Sequence, residues 1–301
     1  MTKTNQKIID DILKKIELDL NYIETDELIE FSGFSYFHFH RIFTAYVGES
    51  LKQYIKRIRL EKSVYELQYK NIPITTVALN AGFNTPSAFN KAFKEFFKTS
   101  PSKYKKQNLQ KKDFRVIKPT EIIENMKPIE VYSLRHIGDY NKMGNTFERI
   151  MKWAYTHKIK NKKNIMGPDA SAYSFSYDDP NVTDVEKLRS DVCISASDDV
   201  EIEDGIVRQT IAGGKYAVFL HKGEYFKLKQ TYSDIFLSYI KENDTQLRDV
   251  PIFVEYLNRD PRRTKPENLR TLIYIPLKWA THPLTLNFIK NNTYDIIYKQ
   301  I

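Results

Sequence analysis

The sequence predicts two domains: an all-α double helix-turn-helix module, then an α+β module built as a tandem strand–helix–strand–strand repeat. Three observations predict this. Over residues 1–107 apolar residues recur at helical spacing, and a helix–glycine–helix layout occurs twice. Further on, short strand-like runs alternate with two amphipathic helices. Motifs in that second part recur at fixed internal spacing, which marks a duplicated unit. A chain of 301 residues has room for two cores, and 41% hydrophobic with 28% charged residues is globular composition.

Ile8, Ile9, Ile12, Leu13, Ile16 and Leu20 make the first helix amphipathic. Thr25 offers an N-cap oxygen to a second, with Asp26 and Glu27 in its first turn. Ser32-Gly33 ends it, because glycine accepts the left-handed conformation that stops a helix. Ser35 then caps a third helix running to about Val47. The layout returns at Val77-Ala78-Leu79, Ala81-Gly82-Phe83 and a helix from about Thr85 to Phe97. Phe39 and Phe43 in one copy, and Phe89 and Phe93 in the other, are four apart and give each helix an aromatic stripe for a core. The opposite faces carry Phe37, His40 and Arg41, then Ser87, Asn90 and Lys91, each at i, i+3 and i+4. That is one contiguous patch per helix, mostly of donors, as a groove-reading helix needs. Between the copies, Leu51, Tyr54, Ile55, Ile58, Val64 and Leu67 mark a helix of about 19 residues, roughly 28 Å long. It would hold the two patches near the ~34 Å separating successive major-groove faces of one duplex.

Charge agrees with this reading. Residues 1–112 hold 19 Lys+Arg against 12 Asp+Glu, a net +7, whereas the remainder holds 28 against 26, a net +2. A basic first third suggests a polyanionic partner. The single cysteine, Cys193, excludes an internal disulfide and a cysteine-rich zinc site, and reads as a small buried hydrophobe. His38 and His40 lie two apart on a helix and make a poor metal pair; no metal or other cofactor is expected. No signal peptide or membrane-spanning run is found, so the expected location is the cytoplasm.

The stretch Gly33-Phe34-Ser35-x-x-His38-Phe39-x-Arg41-x-Phe43 resembles the first motif of the AraC/XylS-type DNA-binding domain. Ile74-x-x-Val77-Ala78-x-x-Ala81-Gly82-Phe83, continued through Phe89, Phe93 and Ser100-Pro101-x-x-Tyr104, resembles that family's signature. The resemblance covers about residues 5–107. It implies that both recognition helices enter adjacent major grooves of double-stranded DNA, which brings Ser35, Phe37, His40 and Arg41, then Ser87, Asn90 and Lys91, to bases or phosphates. A regulator acting at promoters also implies RNA polymerase as a partner.

Residues 108–125 read as a polar linker. Beyond it, His136-Ile137-Gly138-Asp139-Tyr140 recurs as His221-Lys222-Gly223-Glu224-Tyr225, each copy between a strand-like run and an amphipathic helix. Asp179-Pro180-x-x-Thr183-x-x-Glu186-x-Leu188-Arg189-Ser190 recurs as Asp260-Pro261-x-x-Thr264-x-x-Glu267-x-Leu269-Arg270-Thr271. Such a duplication predicts a pseudo-twofold domain with a crevice between its halves. Glu255 lies on a strand, sharing parity with Phe253 and Leu257, and the repeat sets Ser174 at its place in the first unit. A carboxylate on an apolar face is costly to bury unless paired.

Residues 126–279 resemble the GyrI-like effector-binding domain, through the Gly-x-Tyr after each first strand, Gly213-Gly214-x-Tyr216, Phe253-Val254-Glu255-Tyr256 and Thr271-x-Ile273-x-Ile275-Pro276-Leu277. The resemblance implies a crevice for a small, cationic or aromatic compound, with Glu255 as its central acid. Aromatic faces around an acid attract a cation, and the candidates are Tyr140, Tyr225, Tyr274, Phe253, Trp153 and Phe175. The expected protein is a sequence-specific DNA-binding transcription regulator modulated by a small-molecule effector, and not an enzyme. Two rivals stand beside it: hydrolysis of a small molecule by Glu255 with a tyrosine, and a ligand-free architectural DNA binder. Residues 280–301 match no pattern.

Overall fold

The structure is a computed structural model; it describes residues 3–278 apart from positions 19, 21–23, 71, 110–113, 158, 160–170, 181, 197–199, 201, 203–204, 244, 249 and 259–260. Asp260 of the second repeat motif and the 280–301 tail lie outside the described residues.

Among the described residues, seven helices form the N-terminal part: α1 (Lys3–Leu18), α2 (Thr25–Ser32), α3 (Tyr36–Val47), α4 (Leu51–Tyr69), α5 (Ile74–Asn80), α6 (Pro86–Phe97) and α7 (Pro101–Leu109). They enclose two cores, one per helix-turn-helix. Ile9, Ile12, Ile16, Leu28, Phe39 and Phe43 build the first, and Val77, Ala78, Phe89 and Phe93 the second. α4 serves both: Leu51, Tyr54, Ile55 and Ile58 enter the first core, and Leu60, Val64 and Leu67 the second. A capping box fixes its start, with the Ser50 side chain accepting from Gln53 N and Gln53 Oε1 accepting from Ser50 N at 3.0 Å. Thr25 is the first helical residue of α2 rather than its cap; Glu24 holds the cap position, with no side-chain bond there.

Among the described residues, the C-terminal part is built on one curled antiparallel sheet of eight strands. They are β1 (Glu121–Met126), β2 (Ile129–Ile137), β3 (Ala172–Ser176), β4 (Arg189–Ser195), β5 (Ile206–Ile211), β6 (Gly214–Lys222), β7 (Phe253–Tyr256) and β8 (Arg270–Pro276), in the order β1-β6-β8-β7-β3-β4-β2-β5. α8 (Met143–Thr156) follows β2, and α9 (Leu228–Asp234), prolonged by a π-helical segment Ile235–Lys241, follows β6. The repeat therefore has a leading strand that the sequence reading missed. β1, expected as the end of the linker, pairs with β6 of the other unit, and β5 pairs with β2 in return. An edge strand whose exposed positions are mostly polar (Glu121, Glu124 and Asn125, beside Ile122) reads as linker, because only its partner makes it a strand.

Strand pairing fixes the pseudo-dyad. β3 and β7 pair Tyr173 with Glu255, Ser174 with Val254 and Phe175 with Phe253. The axis passes through the Ser174–Val254 pair, so the counterpart of Glu255 is Phe175, not Ser174. Both repeated histidines are structural: His136 bonds Thr146 Oγ (2.9 Å) and the Asp139 carbonyl (3.0 Å), and His221 bonds Thr231 Oγ (2.8 Å) and the Glu224 carbonyl (3.2 Å).

The two parts meet along α1 and α4. Glu17 accepts both terminal nitrogens of Arg135, at 2.9 and 3.0 Å, and Arg189 Nη1 at 2.8 Å. Arg189 also donates to Tyr54 Oη at 2.9 Å and to Asp178, and Arg135 to Asp191. Three to four turns further along α4, Tyr65 and Tyr69 pack on Phe236, the latter stacked at 4.9 Å.

Candidate DNA interface and effector crevice

The turns set the reading helices. Gly33 stands at φ +67 and Gly82 at φ +71, so each α2–α3 and α5–α6 corner uses the left-handed conformation that glycine tolerates. Thr85 Oγ then accepts from Ala88 N at 3.1 Å and Pro86 fills the first turn of α6. Ser35 holds the matching place before α3 but makes no side-chain cap, which leaves its hydroxyl exposed.

Phe39, Phe43, Phe89 and Phe93 are fully buried, whereas Phe37, Arg41, Ser87, Asn90 and Lys91 are exposed. Phe37 is 84% exposed, beyond what a bundle surface needs of a phenylalanine. His40 departs from the expected open donor. Its ring is half-buried between Tyr36, at 4.5 Å, and Phe39, at 5.5 Å. Arg41 Nη2 lies 3.4 Å from His38 Nδ1, and Asn90 donates to the Pro86 carbonyl at 2.9 Å. The C-terminal domain docks on α1 and on the Tyr54–Tyr69 part of α4, so these exposed positions of α3 and α6 stay uncovered.

The effector candidates fall on two faces of the sheet rather than around one crevice. Strand pleating dictates this, since alternate residues point to opposite faces. One face carries Glu255, Tyr274, Phe253 and Phe175, with Tyr173 and Tyr216 beside them. Tyr274 donates to Glu255 Oε2 at 2.7 Å and stacks on Phe253 at 4.3 Å. Burial, and then the Glu255 carboxylate, push the Tyr274 phenol well above its ordinary pKa, so it remains a donor. Cys193, on the same face, is fully buried, and burial raises its thiol well above the usual range, which makes it inert.

The opposite face receives α8 and α9. Tyr225 meets Tyr256 there at 5.2 Å, and Tyr140 donates to the carbonyls of Asp178 and Arg189 at 2.9 and 3.0 Å. Trp153 is spent on the core of α8, edge-on to Tyr132 at 5.0 Å. Sequence reasoning missed Tyr173 and Tyr216 on one face, and Tyr256 and Ser174 on the other. Parity alone sends Tyr256 away from Glu255, its chain neighbour. A single continuous cleft of about 3450 Å³ reaches both faces and the α4 surface, far more than one small ligand fills.

No helix among the described residues is long and apolar enough to cross a membrane, and no group of three or more His, Cys, Asp or Glu among them is arranged to hold a metal. Comparison with known proteins gives a family to each part. Residues 122–278 match the GyrI-like small molecule binding domain, and residues 28–107 match a helix-turn-helix domain. Over 103 residues the chain is 34% identical to the probable transcription factor PqrA of Proteus vulgaris, covering 33% of this chain and 84% of that one. The HTH-type transcriptional activator AarP of Providencia stuartii is 33% identical over 119 residues, 39% of this chain and 88% of that one. The crystal structure of the EcmrR C-terminal domain superposes with a TM-score of 0.43 at 18% identity, over 52% of this chain and 97% of that domain. The chain belongs to the AraC/XylS-type helix-turn-helix regulators and carries, fused to that module, a GyrI-like small molecule binding domain.

Proposed function

We propose that α3 and α6 read two consecutive major-groove segments of one operator, through Ser35, Phe37 and Arg41 in the first, with the half-buried His40 packed behind them, and Ser87, Asn90 and Lys91 in the second. A small cationic or aromatic effector then lodges against Glu255, Tyr274, Phe253 and Phe175 and alters operator binding, with RNA polymerase as the downstream partner at the promoter. The observation that carries the DNA assignment is the exposure of Arg41 and Lys91 while the second domain occupies α1 and α4. Glu255 supports the effector assignment, because its carboxylate, bonded by the Tyr274 hydroxyl, shares a face with the aromatic cluster of Tyr173, Phe175 and Phe253, and aromatic rings beside an acid favour a cation. Coupling requires the effector to prefer one arrangement of the two domains. Operator fragments selected from genomic DNA supply the probe. In a mobility shift at fixed salt, Arg41→Ala and Lys91→Ala each lower operator affinity by about 1–3 kcal/mol. Wild-type affinity in both variants removes the assignment.

A further inference from the structure

The two repeat units carry the same helix in two forms. α8 is α-helical over all 14 residues, Met143–Thr156. Its counterpart starts and ends at the matching positions, Leu228 and Lys241, but is α-helical for 7 residues and π-helical for the next 7. The approach to both is alike: each follows a one-turn 3-10 helix, and the His136–Thr146 bond is repeated by His221 and Thr231. No residue is inserted in the second copy, so chain length does not force the wider turn. π-helical turns are rare and concentrate at functional sites.

Contacts force it instead. Where α8 buries Trp153 against Tyr132, the second copy has Ser238. Ser238 Oγ donates at 2.7 Å to the Asp234 carbonyl, the acceptor that Ser238 N takes in an α-helix. A side chain placed on the ladder in this way opens the turn. The same hydroxyl oxygen accepts from Ile117 N at 3.2 Å, and Asp234 Oδ1 accepts from Arg115 N at 3.1 Å, so the segment joining the two domains is fastened to this helix. Phe236 faces the other neighbour, stacked on Tyr69 of α4 and edge-on to Tyr65. Beneath, Ile235 and Ile240 share a core with Val254 of β7 and Ile273 of β8. Alternate residues of those two strands, Phe253, Glu255 and Tyr274, form the opposite face of the sheet.

We infer that Ile235–Lys241 is a two-state element joining the sheet domain to the DNA-reading module: π-helical while the linker and α4 both hold it, α-helical when either lets go. In the α form Ser238 N takes the Asp234 carbonyl and the hydroxyl leaves it. Fewer residues then fill each turn, so Phe236 and Ser238 swing about the helix axis, away from Tyr69 and Ile117. A change of hydrogen-bond register is a discrete step, which turns a small displacement of β7 and β8 into release of α4. The use of this step as a relay rests on reading the C-terminal domain as the effector module. The step itself does not, and its test needs no effector, so the two readings fail separately.

Two variants of the full chain test the coupling from its two ends. Tyr69→Ala removes the ring stacked on Phe236 and leaves the acceptors of the linker amides in place. Amide hydrogen exchange is expected to speed up by about tenfold or more at Arg115, Ile117 and Ile235–Lys241. Ser238→Ala deletes one hydroxyl, whose bonds go to Asp234 and Ile117 rather than to α4. It is expected to lower energy transfer between dyes on the two domains, and its crystal structure to show Ile235–Lys241 bonded four residues apart. Wild-type exchange at Ile117 in Tyr69→Ala overturns the inference, because the two grips then act independently. So does a Ser238→Ala chain that keeps its π turns or its wild-type energy transfer. If Tyr69→Ala does not fold, Tyr69→Leu, which keeps apolar bulk without the flat ring, takes its place.

Discussion

Gly33 and Gly82 occupy the same place in the two helix-turn-helix copies yet differ in their surroundings. A Cβ at Gly33 meets nothing within 4 Å, whereas one at Gly82 comes within 2.9 Å of Arg59 Nε, which also donates to the Leu20 carbonyl. Gly33→Ala therefore costs only the left-handed penalty, about 1–2 kcal/mol. Gly82→Ala costs that and the displacement of Arg59. Denaturant unfolding of the two variants checks the order; an equal loss in both sinks the argument. At this scale the sequence was informative about chemistry and poor about orientation. Phe39, Phe43, Phe89 and Phe93 were legible as core from spacing. His40 was not legible as half-buried, since its cover comes from Tyr36 one turn away. Glu61 went unnoticed, because a glutamate on a helix usually faces water and only the docked second domain buries it.

The element that does most is α4. Its Leu51–Leu67 stripe joins the two helical cores, and a second stripe of Tyr54, Glu61, Tyr65 and Tyr69 meets the sheet domain. The length of this helix and its first stripe were readable from period; the second was not, because tyrosine and glutamate carry no periodic apolar signal. This double duty gives docking a pH dependence. Arg57, itself paired with Glu49, faces Glu61 from the helical module, and Asp178, Arg189 and Thr183 face it from the sheet domain. Glu61 rises to about 7 when docked, against roughly 4.3 when free. An acid whose pKa is raised by docking is harmless below its free value, where it is protonated in both states, and opposes docking fully above the docked value. In the ligand-free chain, docking therefore weakens as pH rises from about 4.3 to 7. Energy transfer between dyes on the two domains reads the transition. Glu61→Gln flattens it, and a wild-type profile without pH dependence in that window refutes the account.

For the whole molecule, the decisive feature is the Glu17 latch. One carboxylate from α1 receives two guanidiniums from the sheet domain, Arg135 and Arg189, and removing it leaves both less compensated in a buried setting. Breaking a buried pair on one side costs about 3–5 kcal/mol. Glu17→Ala is expected to separate the domains, raising the radius of gyration in small-angle scattering while each domain keeps its own secondary structure. An unchanged radius counts against the latch. In the separated form an effector bound by the sheet domain would leave operator affinity as it was, because no arrangement remains for it to prefer.

Local pattern by itself determined the two-module plan, the duplicated turns with their glycines, the aromatic core stripes, the long connecting helix and the repeat of the second domain. Each of these is fixed by periodicity or by the backbone needs of a few residues, which a chain carries wherever it goes. Tertiary structure alone decided that β1 and β5 exchange between units, that Glu255 and Tyr225 look out from opposite faces of one sheet, and that α1 and α4 hold the second domain. Those facts depend on register and on contacts between residues more than a hundred positions apart, such as Glu17 with Arg135, and no local period encodes them.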